Sequence, residues 1–97
     1  MEIKAKTEGT KLTIAVSGRV DTVTAPELEA ELKFGDATCV VIDLGNVPYM
    51  SSAGLRLLLT GHKTMLAKGG EFQVANVQPS VKEVFDITGF SDILHLV

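Results

Sequence analysis

The chain carries a single cysteine, Cys39, and no tryptophan. A lone thiol closes no intramolecular disulfide, and without a CxxC pair it founds no zinc site, so neither a covalent nor a metal cross-link is expected. Flanked by Val40, Val41 and Ile42, Cys39 reads as a small buried hydrophobe. Long apolar runs are missing too: none approaches the ~18 residues of a membrane span. Charges at Glu2, Lys4, Lys6 and Glu8 occupy the stretch where a signal peptide would be apolar. A cytoplasmic chain with no direct membrane insertion is therefore expected. Basic runs are absent as well. Nine Lys and Arg against twelve Asp and Glu leave a net charge of -3, with no arginine-aromatic interleaving, and this argues against nucleic acid as a partner. No glycine-rich phosphate loop points to a nucleotide, and no cofactor is expected.

What the chain does have is enough apolar material for one core. With 97 residues and 45% hydrophobic content, it can bury about 60–70% of its unfolded surface in a single domain, residues 1–97. Residues 2–7 and 11–17 read as strands, the second by alternation of Leu12, Ile14 and Val16 with Lys11, Thr13 and Ala15. Gly9 and Thr10 between them suggest a hairpin. Thr24-Ala25-Pro26-Glu27 has the form of a capping box and predicts a short helix to about Lys33, burying Leu28 and Leu32. Residues 39–44 form a continuous apolar run, expected at the centre of the sheet and covered on both faces. A helix with Leu55, Leu58, Leu59, His62 and Leu66 at helical spacing follows and stops near Lys68-Gly69-Gly70. Residues 71–76 make another strand. Ser80-Val81-Lys82-Glu83 suggests a second capping box, opening a helix that Gly89 ends. Residues 93–97 can add a last short strand. The order is β-β-α-β-α-β-α-β, an α/β fold with a mixed sheet of four to five strands and helices packed on it.

The central helix begins differently from its neighbours. If Ser51 is its N-cap, the third helical position is Gly54; if Ser52 is, it is Leu55. Either way no carboxylate answers the partial positive charge of that helix start, where amides lack partners. Two adjacent hydroxyls there could carry a phosphate, about -1.5 to -2 charges placed on the amide cluster. The small Ala53 and Gly54 would give a kinase room to approach. The plain alternative is an ordinary serine cap with a glycine that relieves crowding.

The stretch Val47-Pro48-Tyr49-Met50-Ser51-Ser52-Ala53-Gly54-Leu55-Arg56 resembles the signature of STAS domains, the family of bacterial anti-sigma factor antagonists. Val40-Val41-Ile42-Asp43-Leu44 before it, and Gly18-Arg19-Val20-Asp21 followed by Ala25, match the family's hydrophobic-Asp-Leu strand and Gly-x-hydrophobic-Asp turn. The resemblance covers essentially the whole chain. It implies a non-catalytic partner-switching regulator. The unmodified form would bind an anti-sigma factor, a serine kinase of the histidine-kinase-like ATPase type, and phosphorylation by that kinase would end the binding. A phosphoserine phosphatase would reset it. The family's phosphoacceptor falls on Ser52. The chain departs from the pattern at Ser51, where many members have aspartate, and at Ala53, where many have serine, so Ser51 offers a second candidate hydroxyl.

Around Ser52, the residues Met50, Ser51, Ala53, Gly54 and Leu55 are expected to form a small, mostly apolar partner-binding knob. The resemblance places Asp21 in a loop near this serine, where it would repel a phosphate or orient the hydroxyl; the alternative is a plain turn aspartate. Arg56 lies four residues after Ser52 on the same helix face, in a first turn where a cation opposes the dipole. It is expected either to meet an acidic group of the partner or to pair with a phosphate, the plain alternative being a solvated surface arginine. Asp43 is expected to be structural.

Catalysis is not expected. Gly-x-Ser-x-Gly is absent because Met50 stands at the first glycine position, and His62 lies about 15 Å along the same helix from Ser52. Gly69-Gly70-Glu71-Phe72 resembles a cyclic-dinucleotide cyclase signature but is one residue short and reads as a helix stop. The remaining functional alternative is a non-switching STAS scaffold, in a stress-sensing assembly or as a cytoplasmic subunit of a lipid transporter.

Overall fold

The computed structural model describes residues 1–97. Strand β1 (Glu2–Glu8) turns back at Gly9 and Thr10 into β2 (Lys11–Ser17), antiparallel to it. After that the chain alternates: α1 (Ala25–Glu31), β3 (Cys39–Asn46), α2 (Ser52–Ala67), β4 (Glu71–Ala75), α3 (Pro79–Thr88) and a two-residue β5 (His95–Leu96). A 3-10 turn, Phe90–Asp92, precedes β5, and Gly89, at φ 81°, ends α3 in the left-handed conformation. The sheet order is β1-β2-β3-β4-β5, with β2 through β5 mutually parallel and β3 in the middle.

This order fixes where the helices go. Each parallel step moves one strand in the same direction, so crossovers of the usual right hand put every helix on one face. The core agrees. Ile14, Val16, Val40, Ile42, Leu44, Phe72 and Val74 from the strands form one buried cluster with Leu28 of α1, Leu58 and Met65 of α2, and Val81 and Phe85 of α3. The expectation that β3 is covered on both faces is therefore corrected. Its alternate residues Cys39 and Asp43 are only half-buried, and so are Thr13, Ala15, Gln73 and Ala75 beside them. Val41 is buried, but by its register neighbours Thr13 and Gln73 rather than by a second helical layer. Cys39 belongs to this open face and is not the buried hydrophobe that its neighbours suggested.

Because β2, β3 and β4 run parallel, their C-terminal ends share one edge of the sheet, and three connections meet there: residues 18–24, 47–51 and 76–78. No helix is long and apolar enough to cross a membrane.

Candidate functional site

Two of these connections are zipped together. The Gly18 amide donates to the Asn46 carbonyl (2.9 Å), the Val20 amide to the Tyr49 carbonyl (3.0 Å) and the Ser51 amide to the Val20 carbonyl (2.8 Å). Val20 and Met50 thus form an isolated parallel bridge beyond the sheet, and both side chains are buried. The first turn of α2 rests on that bridge. A Cβ on Gly54 would stand 2.7 Å from both Met50 Cγ and Val20 Cγ1, a distance that real contacts do not tolerate. The glycine in the first turn is there for close packing beneath the helix, not to admit a kinase from outside.

The structure resolves the choice of N-cap. Ser51 has extended backbone (φ -84°, ψ 174°), and its carbonyl accepts the Leu55 amide at 3.1 Å. Ser52 is the first helical residue. Neither hydroxyl caps the helix: the Ser51 Oγ is buried without a partner, whereas Ser52 is exposed. No acidic residue lies in the first turn of this 16-residue helix.

The third connection braces the serine loop from the other side. The Asp43 carboxylate accepts the Gly45 amide (2.9 Å) and the Asn76 side-chain amide (3.1 Å), which gives it the structural role expected. Gln78 Nε2 donates to the Gly45 carbonyl at 2.8 Å. Ser80 does not cap α3 as its sequence context suggested. Gln78 is the N-cap, Pro79 opens the helix, and the Ser80 hydroxyl donates to the Pro48 carbonyl at 2.9 Å.

The other capping box is also displaced. Thr24 precedes α1 but makes no cap with Glu27. It forms the reciprocal pair with Asp21 instead: the Asp21 carboxylate accepts the Thr24 amide (3.0 Å), and the Thr24 hydroxyl oxygen accepts the Asp21 amide (2.9 Å). The same hydroxyl donates to the Arg19 carbonyl at 2.8 Å. A helical turn before α1 begins here, since the Ala25 amide already reaches the Asp21 carbonyl at 2.8 Å. The Thr24→Val variant, which keeps the shape and loses these bonds, is expected to unfold about 1 kcal/mol more easily in a urea titration.

Asp21 is held below its ordinary carboxylate pKa, chiefly because it accepts the Thr24 amide; the Thr24 hydroxyl, the Val23 amide and the Arg19 charge add to this against partial desolvation. No hydrogen bond joins it to either serine. With its pKa lowered on folding, Asp21 stabilises the loop fully above its ordinary value of 3.8. That stabilisation fades as the pH falls through the lowered value. The melting temperature of wild type should therefore exceed that of Asp21→Asn more at pH 6 than at pH 3; an equal gap at both would exclude this role.

The surface around Ser52 differs from the knob read in the sequence. Met50 and Leu55 are 2% and 4% exposed and Gly54 is buried, so none of the three presents a side chain to a partner. Their spacing next to Ser52 is that of residues anchoring a helix start. The exposed apolar groups come instead from Val23, 83% exposed, and Tyr49, 42% exposed. Tyr49 lies under the Arg19 guanidinium, 4.4 Å from the ring centroid, while Arg19 Nε is 3.8 Å from the Asp21 carboxylate. Sequence reasoning missed both residues. A valine between two threonines in a turn, and a tyrosine after a proline outside any apolar period, were the available signals. Asp21 and Ala53 are half-buried, and Arg56 is exposed with no ion pair or hydrogen bond from its side chain. The exposed candidates are thus brought to one end of the molecule, around the start of α2. No group of His, Cys, Asp and Glu is arranged to hold a metal ion.

A sheet with helices on one face, and a serine-bearing loop bridged to its neighbour at the head of the central helix, describe a known class of domain. The chain belongs to the STAS domain family, whose model matches residues 2–97. Among individual relatives, it is 41% identical over 86 residues to BtrV of Bordetella bronchiseptica, a protein named as an anti-sigma factor antagonist, covering 84% of this chain and 73% of that one. The crystal structure of an anti-sigma factor antagonist from Mycobacterium paratuberculosis matches with a TM-score of 0.85 at 27% identity, over 98% of this chain and 83% of that one. Bacillus SpoIIAA in its phosphorylated form shares the fold, with a TM-score of 0.77 at 18% identity over 99% of this chain and 91% of that one.

Proposed function

We propose that this chain is an anti-sigma factor antagonist that switches partners through Ser52. The observation that carries the reading is the exposed Ser52 hydroxyl at the first position of α2, on a loop held from both sides, in a chain similar to proteins named for this role. Of the adjacent hydroxyls, Ser51 Oγ is buried, which favours Ser52 as the acceptor. In the transfer, Ser52 Oγ attacks the γ-phosphorus of ATP bound to the anti-sigma kinase. The new P–O bond forms as the bond to ADP breaks, and the hydroxyl proton passes to a base on the kinase. A cognate phosphatase would hydrolyse the ester and restore the binding form. That SpoIIAA has a phosphorylated form supports such a cycle in a protein of this fold.

The chemistry of release follows from desolvation. The unmodified surface offers a small hydroxyl beside Ala53, with the exposed Val23 and Tyr49 on the two connections at the same end, which an anti-sigma factor can cover at little cost. A phosphate at the same point must be dehydrated or paired. The test is capture from a lysate of the native host with wild type, Ser52→Ala and Ser52→Asp chains. An ATPase-type kinase retained by the first two and lost by the third is the expected result. A transporter or scaffold protein held equally by all three would replace the switch with a fixed subunit.

A further inference from the structure

Arg56, exposed near the start of α2, has no ion-pair partner and no side-chain hydrogen bond. It lines a groove between α1 and α2, about 240 Å³ in volume, with Ala25, Pro26 and Glu29 on the α1 side and Ala53 and Leu57 beside it. Glu29 faces the same groove, yet neither charge has an ion-pair partner, the four salt bridges of the chain lying elsewhere. Arg56 is the fifth residue of α2, at the start of its second turn rather than in the first as the sequence suggested, and the first turn holds no acidic residue to pair with it.

Ser52 and Arg56 are four residues apart on one helix, so their side chains are neighbours on one face. Helical side chains lean toward the N-terminus, which puts the turn that starts with Ser52 within the guanidinium's reach. The other arginine near this end, Arg19, is already stacked on Tyr49 and directed to Asp21.

We infer that Arg56 is the internal counter-ion of a phosphate on Ser52, and that pairing withdraws it from the groove. The inference rests on the phosphorylation reading above. A phosphate would then change the surface twice, adding an anion at the head of α2 and removing the only cation from the α1–α2 groove, which leaves Glu29 as its one charge. A partner group that meets Arg56 in the unmodified chain would lose its contact in the same event.

The test needs no partner. Phosphoserine is installed at position 52 during translation, and the second phosphate ionisation is followed by phosphorus NMR in wild type, Arg56→Gln, Arg56→Lys and Arg19→Gln chains. Pairing favours the dianion, so the wild-type phosphate should titrate at least ~0.3 unit lower than in Arg56→Gln. Lysine should restore most of that shift because it keeps the charge, and Arg19→Gln should leave it in place. Equal values in wild type and Arg56→Gln, or a loss of the shift only in Arg19→Gln, overturn the inference. Such a result leaves the switch itself standing, because that is read by partner capture.

Discussion

The Ser52→Asp chain should bind its anti-sigma factor at least about a hundredfold more weakly than wild type, while its melting temperature stays within a few degrees. The first half follows from burial. An ion taken out of water at an interface loses several kcal/mol, which pairing with the single exposed Arg56 returns only in part, and ~2.7 kcal/mol is already a factor of 100 in Kd. The second half follows from position. Ser52 is exposed, its hydroxyl accepts and donates nothing within the chain, and a carboxylate at the start of α2 lies on the favourable end of the dipole. Ser52→Ala is the informative control, because it removes the acceptor and adds no charge. It should bind like wild type and resist inactivation by the kinase. Titration calorimetry with the captured kinase measures both, and an aspartate variant that binds within threefold of wild type would remove Ser52 from the mechanism.

The second large effect is expected at Gly54. Its Cβ position is already occupied at 2.7 Å by Met50 and Val20, the two residues of the bridge that zips the loops. Valine adds two further methyl groups there, so the helix start must lift or the bridge must open. Overpacking of this kind costs about 3 kcal/mol, or roughly 10–20 °C in Tm for a chain of this size. Gly54→Ala should lose less, since the gain of about 1 kcal/mol in helix propensity offsets part of the clash. Thermal melts of the two variants decide the point. A valine variant that melts within a few degrees of wild type would mean that the site tolerates separation of α2 from its support.

Much of this architecture was legible in the chain because it rests on local periodicity. The alternation of Leu12, Ile14 and Val16 and the helical spacing of Leu55, Leu58 and Leu59 required no knowledge of distant residues. The element order and the central position of β3 followed from such patterns. The misread features depend on partners chosen by the fold. Ser80 has the sequence context of a cap, yet its hydroxyl goes to Pro48, 32 residues away. Thr24 caps backwards onto Asp21 because the chain turns into α1 earlier than the Thr-x-x-Glu spacing implies.

The apolar run of β3 looked the same whether one face was covered or two, because Val41 is shielded by adjacent strands rather than by a helix. At the site, Ser52 and Arg56 stood out by what surrounds them in sequence: a helix start without acid, and a cation close behind it, which the structure moves from the first turn to the start of the second. Met50 and Leu55 were misassigned to the surface because adjacency to Ser52 says nothing about which way a side chain turns. That depends on the Val20–Met50 bridge, a pairing between segments about thirty residues apart.

The bridge also bears on timing. The serine loop is fastened to Val20 by backbone hydrogen bonds and to the start of α3 through Ser80, while Gln78 holds the end of β3 just before it, so a phosphate would be added to a platform with little freedom to rearrange. The memory of the signal would then be held in one ester bond rather than in a relaxing shape. Its lifetime would be set by how often the kinase and the phosphatase visit, and a cell could lengthen or shorten the response by changing the amounts of those two enzymes without altering this chain.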